Sequence, residues 1–264
     1  MTRSGKVCKR MDLLPGYVVN LKAVRPAPYG WFLTDGSKNI LLHESGIVGN
    51  IAEGETVRVF LYQDRQGRIA ATQKIPEVRV GSFGWCRVAD RNDQLGVFVD
   101  IGIGRDILLH KGDLPPLREV WPQKGDKLYC TLKNDRFGNL LARLATEEEM
   151  KPLFRQAGRS IFNQTVKGIV YRTIKAGSFI ITEEKYRAFL HESQRFAEPR
   201  LGEAIEGRVI GVKDDGTINI SMLKRVYESI SDHAETVYRY LVERGGVMPY
   251  TDKSAPEDIK KRFA

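Results

Sequence analysis

The sequence predicts a mainly β protein: three tandem five-stranded barrels followed by a short α-helical C-terminal region. Three observations predict it. Three of the four histidines end the same apolar run, as Leu41-Leu42-His43, Leu108-Leu109-His110 and Phe189-Leu190-His191. Upstream of each stands glycine, one residue, then phenylalanine: Gly30-Trp31-Phe32, Gly96-Val97-Phe98 and Gly177-Ser178-Phe179, with 11 or 12 residues from Phe to His. Downstream of each comes a Gly–acid pair (Gly54-Glu55, Gly125-Asp126, Gly202-Glu203) and then a turn glycine (Gly67, Gly138, Gly216). A five-point pattern repeated three times in register is one small module used three times.

The elements follow in order. In the first module, Tyr17–Val24, Trp31–Leu33, Ile40–Leu42, Thr56–Leu61 and Arg68–Thr72 read as strands. Turns at Pro26-Ala27-Pro28-Tyr29-Gly30, Asp35-Gly36-Ser37 and Asp64-Arg65-Gln66-Gly67 separate them. β-branched and aromatic runs between such breaks are the signal of a small all-β barrel. The second module repeats it with Gly96–Ile101, Ile107–Leu109, Lys127–Leu132 and Leu140–Leu144. The third has Thr165–Tyr171, Ser178–Thr182, Ala188–Leu190, Ala204–Val212 and Thr217–Met222. Between them, Ile75–Val78 is a short linker, and Thr146 with Glu149 forms a capping box that opens a helix running to about Gln156. Past Arg225 the period becomes helical: Ala234, Val237, Tyr238, Leu241 and Val242 share a face. Asp232 with Glu235 caps its start and Gly245-Gly246 ends it. A second helix opens at Ser254, with Pro256 and Glu257 in its first turn. The expected domains are 1–76, 77–145 and 163–225 for the barrels, 146–162 for the helical linker and 226–264 for the helical tail.

Composition narrows the function. Lys plus Arg number 42 against 33 acids, a net charge of +9 that favours an anionic partner. Cys8, Cys86 and Cys130 are scattered and odd in number, which argues against a disulfide framework and a structural zinc site. No apolar run is long enough to span a membrane and no signal-peptide core opens the chain, so a cytoplasmic protein with no membrane partner is expected. Gly102-Ile103-Gly104 lacks the third glycine of a dinucleotide loop and reads as a hairpin turn. No phosphate-binding loop, metal-spaced cluster or nucleophile elbow occurs, and the three histidines sit in separate modules. The chain is therefore expected to be no enzyme, with no catalytic residue, metal or cofactor.

Spacing alone leaves the repeated residues two readings. A Phe after Gly-x in a strand belongs in a core or serves as an exposed platform. A strand-end His packs a turn or contacts a ligand, and Asp-x-x-Gly is a hairpin turn before it is anything else.

Gly-x-Phe, the Leu-His ending and the closing Asp64-Arg65-Gln66-Gly67-Arg68-Ile69 turn resemble the oligonucleotide-binding (OB) fold of the ribosomal-protein-S-one type, over residues 12–225. The resemblance implies an exposed patch for single-stranded RNA. Position by position, that patch is Tyr29, Phe32, His43, Asp64 and Arg68 in the first barrel. The second keeps Phe98, His110 and Asp135, with Leu95 and Asn139 at the other two places. The third keeps Phe179 and His191, with Ala176 and Thr217 elsewhere and Asp214 or Asp215 as its aspartate. Rings stack on unpaired bases, and arginine contacts phosphate or stacks, so little base preference is expected.

The whole chain resembles the conserved virulence factor B family of bacteria. Val59-Phe60-Leu61-Tyr62-Gln63-Asp64 with Arg68-Ile69-Ala70-Ala71-Thr72 carries the likeness, as does Met248-Pro249-Tyr250-Thr251-Asp252-Lys253-Ser254. It implies RNA binding, a role in regulating gene expression and a C-terminal winged helix. The tail offers two helices toward that domain without a recognition helix or wing, so a partial winged helix is expected. The competing reading is a protein scaffold docked on the ribosome or an RNA-processing complex.

Overall fold

The computed structural model describes residues 13–223, 226–251 and 254–263, which leaves Cys8 outside the described residues. The chain divides into two compact units, Met1–Ser221 and Met222–Ala264.

The first unit holds three closed barrels. The first is built from β1 (Val18–Ala27), β2 (Gly30–Thr34), β3 (Asn39–His43), β4 (Thr56–Gln63) and β5 (Ile69–Thr72). The second uses β6 (Gly84–Asn92), β7 (Gly96–Asp100), β8 (Asp106–His110), β9 (Lys127–Asn134) and β10 (Leu140–Leu144). The third uses β11 (Thr165–Ile174), β12 (Gly177–Thr182), β13 (Arg187–His191), β14 (Ala204–Val212) and β15 (Ile218–Ser221). Each closes in the same order, β1-β2-β3-β5-β4 in the first, with β3 and β5 parallel and the other pairs antiparallel. Alternation decides which side chains are inside. Val19, Leu21, Leu33, Ile40, Leu42, Val57, Val59 and Leu61 fill the first barrel.

The first strand of each barrel carries a bulge at the same place. Register shifts between Ala23 and Arg25, between Val88 and Asp90, and between Val170 and Arg172. A bulge re-aims the residue after it, here Arg25, Asp90 and Arg172.

Several sequence expectations move. Pro26 lies inside β1 opposite Trp31, not in the turn. β1 pairs with β4 only over Val18–Lys22, so at Pro26 the missing N–H is not called on by that neighbour. The second module has a further strand, Gly84–Asn92, ahead of the four that its sequence pattern predicts. The linker helix is shorter than expected. Its capping box is present, but α1 ends at Met150 and a 3-10 turn follows over Lys151–Leu153. Pro152 has no N–H for a further α-helical bond.

The barrels of this unit are joined. Phe60, fully buried, packs with Val18 and Tyr62 into the core cluster of the second barrel. Asn134 Nδ2 donates to Pro15 O at 3.0 Å, and Gln63 Oε1 accepts from Leu140 N at 3.0 Å. Between second and third, Leu201 N donates to Val120 O and Lys127 N to Gly202 O, each at 2.9 Å. The linker is pinned by Arg143, which makes a forked pair with Glu149 at 2.7 and 2.9 Å. That guanidinium is the main reason the Glu149 carboxyl falls from 4.5 to about 2. A depressed carboxylate contributes stability above its ordinary range and loses it as pH falls through its folded value. The melting temperatures of wild type and Glu149→Gln should therefore differ at pH 6 and converge as pH drops from about 4.5 toward about 2. A gap unchanged by acid would show that the pair adds nothing.

In the second unit, α2 spans Val226–Glu243 and α3 spans Pro256–Phe263. No glycine or proline interrupts residues 226–232, so α2 starts ahead of Asp232, whose side chain lies outside the described residues. The Asp232–Glu235 start is thereby corrected. The expected stop holds: Gly246 N reaches Leu241 O at 2.8 Å and Gly245 N reaches Val242 O at 3.1 Å, with both glycines at positive φ. That is a Schellman ending. Tyr240 is buried, with its ring 6.3 Å from that of Tyr250.

Candidate nucleic-acid interface

Most of the repeated pattern is architecture. Gly30, Gly96 and Gly177 pair across the sheet with His43, His110 and His191. A Cβ on them would lie 2.0, 2.1 and 2.2 Å from the carbonyl oxygens of Leu42, Leu109 and Leu190. Only glycine fits that approach. Each histidine Nδ1 caps the 3-10 turn that follows, accepting from Ser45 N at 3.2 Å, Gly112 N at 3.1 Å and Ser193 N at 3.2 Å. An accepting Nδ1 places the proton of the neutral ring on Nε2, which is then a donor. The acid of each Gly–acid pair accepts from a backbone N–H three residues earlier: Glu55 from Ala52, Asp126 from Gln123, Glu203 from Arg200.

What remains for a ligand is the outer wall. Register sets Arg25 opposite Phe32, Phe32 opposite Leu41, Leu41 beside Ala70 and Ala70 opposite Tyr62. This row runs outside the first barrel and ends at Tyr62, against the second. Phe32 is only half-buried and belongs to neither core cluster. The Arg25 guanidinium lies 4.7 Å from its centroid. His43 is half-buried and Tyr29 is 66% exposed. Asp64 shapes the closing hairpin, accepting from Gln66 N, Arg68 N and Arg68 Nε at 2.8–2.9 Å. Burial alone would raise its carboxyl, but these bonds outweigh it and hold the group below the usual range. Arg68 is paired to Asp64 and still 67% exposed.

The third barrel carries the same row with more rings. Arg172 faces Phe179, Phe179 faces Phe189, and Phe189 adjoins Asn219. Ring contacts run Phe154–Tyr171–Phe179–Phe189–His191 at centroid distances of 5.0–6.3 Å. Arg187 and Arg172 lie over Phe179 at 4.9 and 5.5 Å. His191 is exposed. Asn219 Oδ1 is buried with no donor among the described residues. The hairpin corrects one expectation. The place of Asp64 is held by neither Asp214 nor Asp215 but by Lys213, whose N–H bonds Thr217 O and whose carbonyl accepts from Gly216 N. Asp215 instead accepts from Thr217 N.

The second barrel differs in charge. Phe98 and His110 stand on its wall, half-buried and exposed, but the residue opposite Phe98 is Asp90 where the other barrels have arginine. Asp135 is consumed by its hairpin, accepting from Phe137 N, Asn139 N and Asn139 Nδ2 at 2.8–2.9 Å. The hairpin tip presents Phe137, 74% exposed, with Arg136 4.6 Å from its centroid. Sequence reasoning missed Arg25, Arg172, Arg187, Phe189 and Phe137.

Three closed five-stranded barrels with this order, each with a ring-bearing outer wall, define a tandem OB-barrel protein of the S1 type. Comparisons agree. Residues 15–74 match the S1 domain, 83–143 the CvfB first S1-like domain, 150–224 the second domain of the virulence regulatory factor CvfB, and 235–264 the CvfB-like winged helix domain. The chain is 35% identical to conserved virulence factor B of Staphylococcus aureus, over 86% of this chain and 76% of that one. It is 45% identical to the uncharacterized protein YitL of Bacillus subtilis, over 96% and 85%. A crystal structure from Streptococcus pneumoniae, described as a multidomain protein with nucleic acid binding domains, superposes with a TM-score of 0.74 at 34% identity, over 94% and 88%. The chain belongs to the conserved virulence factor B family.

Proposed function

We propose that this protein is a non-catalytic regulator that binds single-stranded RNA in the cytoplasm, with the outer walls of the first and third barrels as its platforms. One observation carries the reading: in both barrels an outward phenylalanine lies beside a strand-end histidine and under an arginine. The ring offers a stacking face, the guanidinium a partner for phosphate, and His Nε2–H a donor for a ribose hydroxyl or phosphate. The second barrel, with Asp90 on its wall, acts as a spacer that keeps the platforms in line. The relatives support it, since one is named a virulence factor and another is described as carrying nucleic acid binding domains. The reducing setting suits Cys86 and Cys130, which are buried and free. Their mutual hydrogen bond and burial push the Cys130 thiol up, away from the reactive thiolate.

The test is fluorescence anisotropy with a labelled, unstructured RNA of about twelve nucleotides over a salt series. Each phosphate neutralised adds about −0.7 to the log–log slope for a single strand, so three or four contacts give roughly −2 to −3. No binding at low salt, or an affinity indifferent to salt, would overturn the reading.

A further inference from the structure

The structure assigns a phosphate subsite to Arg172 and Arg187 on the third barrel, and makes Glu147 of the linker the chain's own occupant of it. The proposal rests on the functional reading above and concerns how one of its platforms is controlled. Arg172 and Arg187 come from β11 and β13, and both guanidiniums lie over the ring of Phe179. Each is also paired with the Glu147 carboxylate, one oxygen apiece. Glu147 is the first residue of α1, placed by the Thr146–Glu149 capping box and by the Arg143 fork. A carboxylate seated across two guanidiniums beside a stacking ring shows that the spot accepts an anion of that size. A phosphate linked to a base lying on Phe179 or Phe189 presents the same oxygens.

The two anions cannot share the site. RNA reaching the third barrel must displace Glu147, so the linker lowers that barrel's affinity and makes its engagement the costlier step. On the first barrel Arg25 lies over Phe32 and has no carboxylate partner among the described ion pairs, and Arg68 pairs with Asp64 of its own hairpin, not with a linker residue. Nucleic acid should therefore engage the first barrel before the third.

The test uses the full chain and the same RNA. Glu147→Gln keeps the size and removes the charge. It should bind about three- to tenfold tighter at low salt, the scale of one or two surface ion pairs released, with a steeper salt slope. Glu148→Gln makes the same change of net charge one residue away, on a side chain 76% exposed and paired with Lys151; it should match wild type. In an Arg172→Gln background the gain from Glu147→Gln should shrink. On the unmodified protein, RNA should speed amide hydrogen exchange over residues 147–153 as the carboxylate is released, a readout that needs no variant to fold. If wild type fails to bind RNA, the functional reading falls and this proposal with it. If wild type binds but Glu147→Gln and Glu148→Gln behave alike, or exchange over the linker is unchanged or slowed, the guard is overturned and the platforms stand.

Discussion

Replacing Gly96 by alanine should destabilise the protein by about 3–5 kcal/mol, and the matching glycines Gly30 and Gly177 are blocked in the same way. Its φ is +137°, and the new Cβ would sit 2.1 Å from Leu109 O and 2.8 Å from Lys111 N. Both neighbours are backbone, held by ladder bonds and by the Lys111 N–H to Leu95 O bond at 2.8 Å. Neither can move without opening the β7–β8 edge that leads into His110. Gly67→Ala is the control. Gly67 also has positive φ, +77°, but nothing lies within 4 Å of its Cβ position, so only backbone preference is lost, about 1 kcal/mol. Urea melts of the two variants should separate clearly. If Gly96→Ala melts with Gly67→Ala, close packing is not the reason for the repeated glycine.

Tyr29→Ala combined with Phe32→Ala should weaken RNA binding by at least about thirtyfold, since stacking is worth about 1–3 kcal/mol per base. The fold should be nearly indifferent. Tyr29 is exposed, and Phe32 lies outside the cluster that includes Leu33. Leu33→Ala, one position along and fully buried, should do the opposite, costing about 2–5 kcal/mol of stability. A double variant that loses its cooperative melt would put those rings in the core.

Local chemistry made much of this legible from sequence. The Gly-x-Phe to Leu-His interval reports a hairpin whose glycine faces its histidine, and the Gly–acid pair reports a turn whose carboxylate caps its own backbone. Such features lie within a dozen residues, where spacing carries the geometry. Elements that depend on distant partners stayed hidden. The bulge inserts one residue, so Arg25 and Arg172 fall on the wall where simple alternation would not place them. Glu147 and Arg187 are 40 residues apart and meet only because barrel and linker are packed together. Lys213 replaces the hairpin aspartate of the other modules, and Asp214 and Asp215 follow it one and two positions too late in the turn. The linker helix stops early because one proline lacks a donor.

Ultraviolet crosslinking of bound RNA, with the crosslinked peptides mapped, addresses the walls most directly. Crosslinks are expected at Tyr29 and Phe32 on the first barrel and at Phe179 and Phe189 on the third. The second barrel offers a built-in comparison, because Trp85 and Tyr129 form a separate ring pair, 5.2 Å apart, on β6 and β9. Crosslinks confined to that pair, with none at the four named rings, would contradict the assignment of the two platforms.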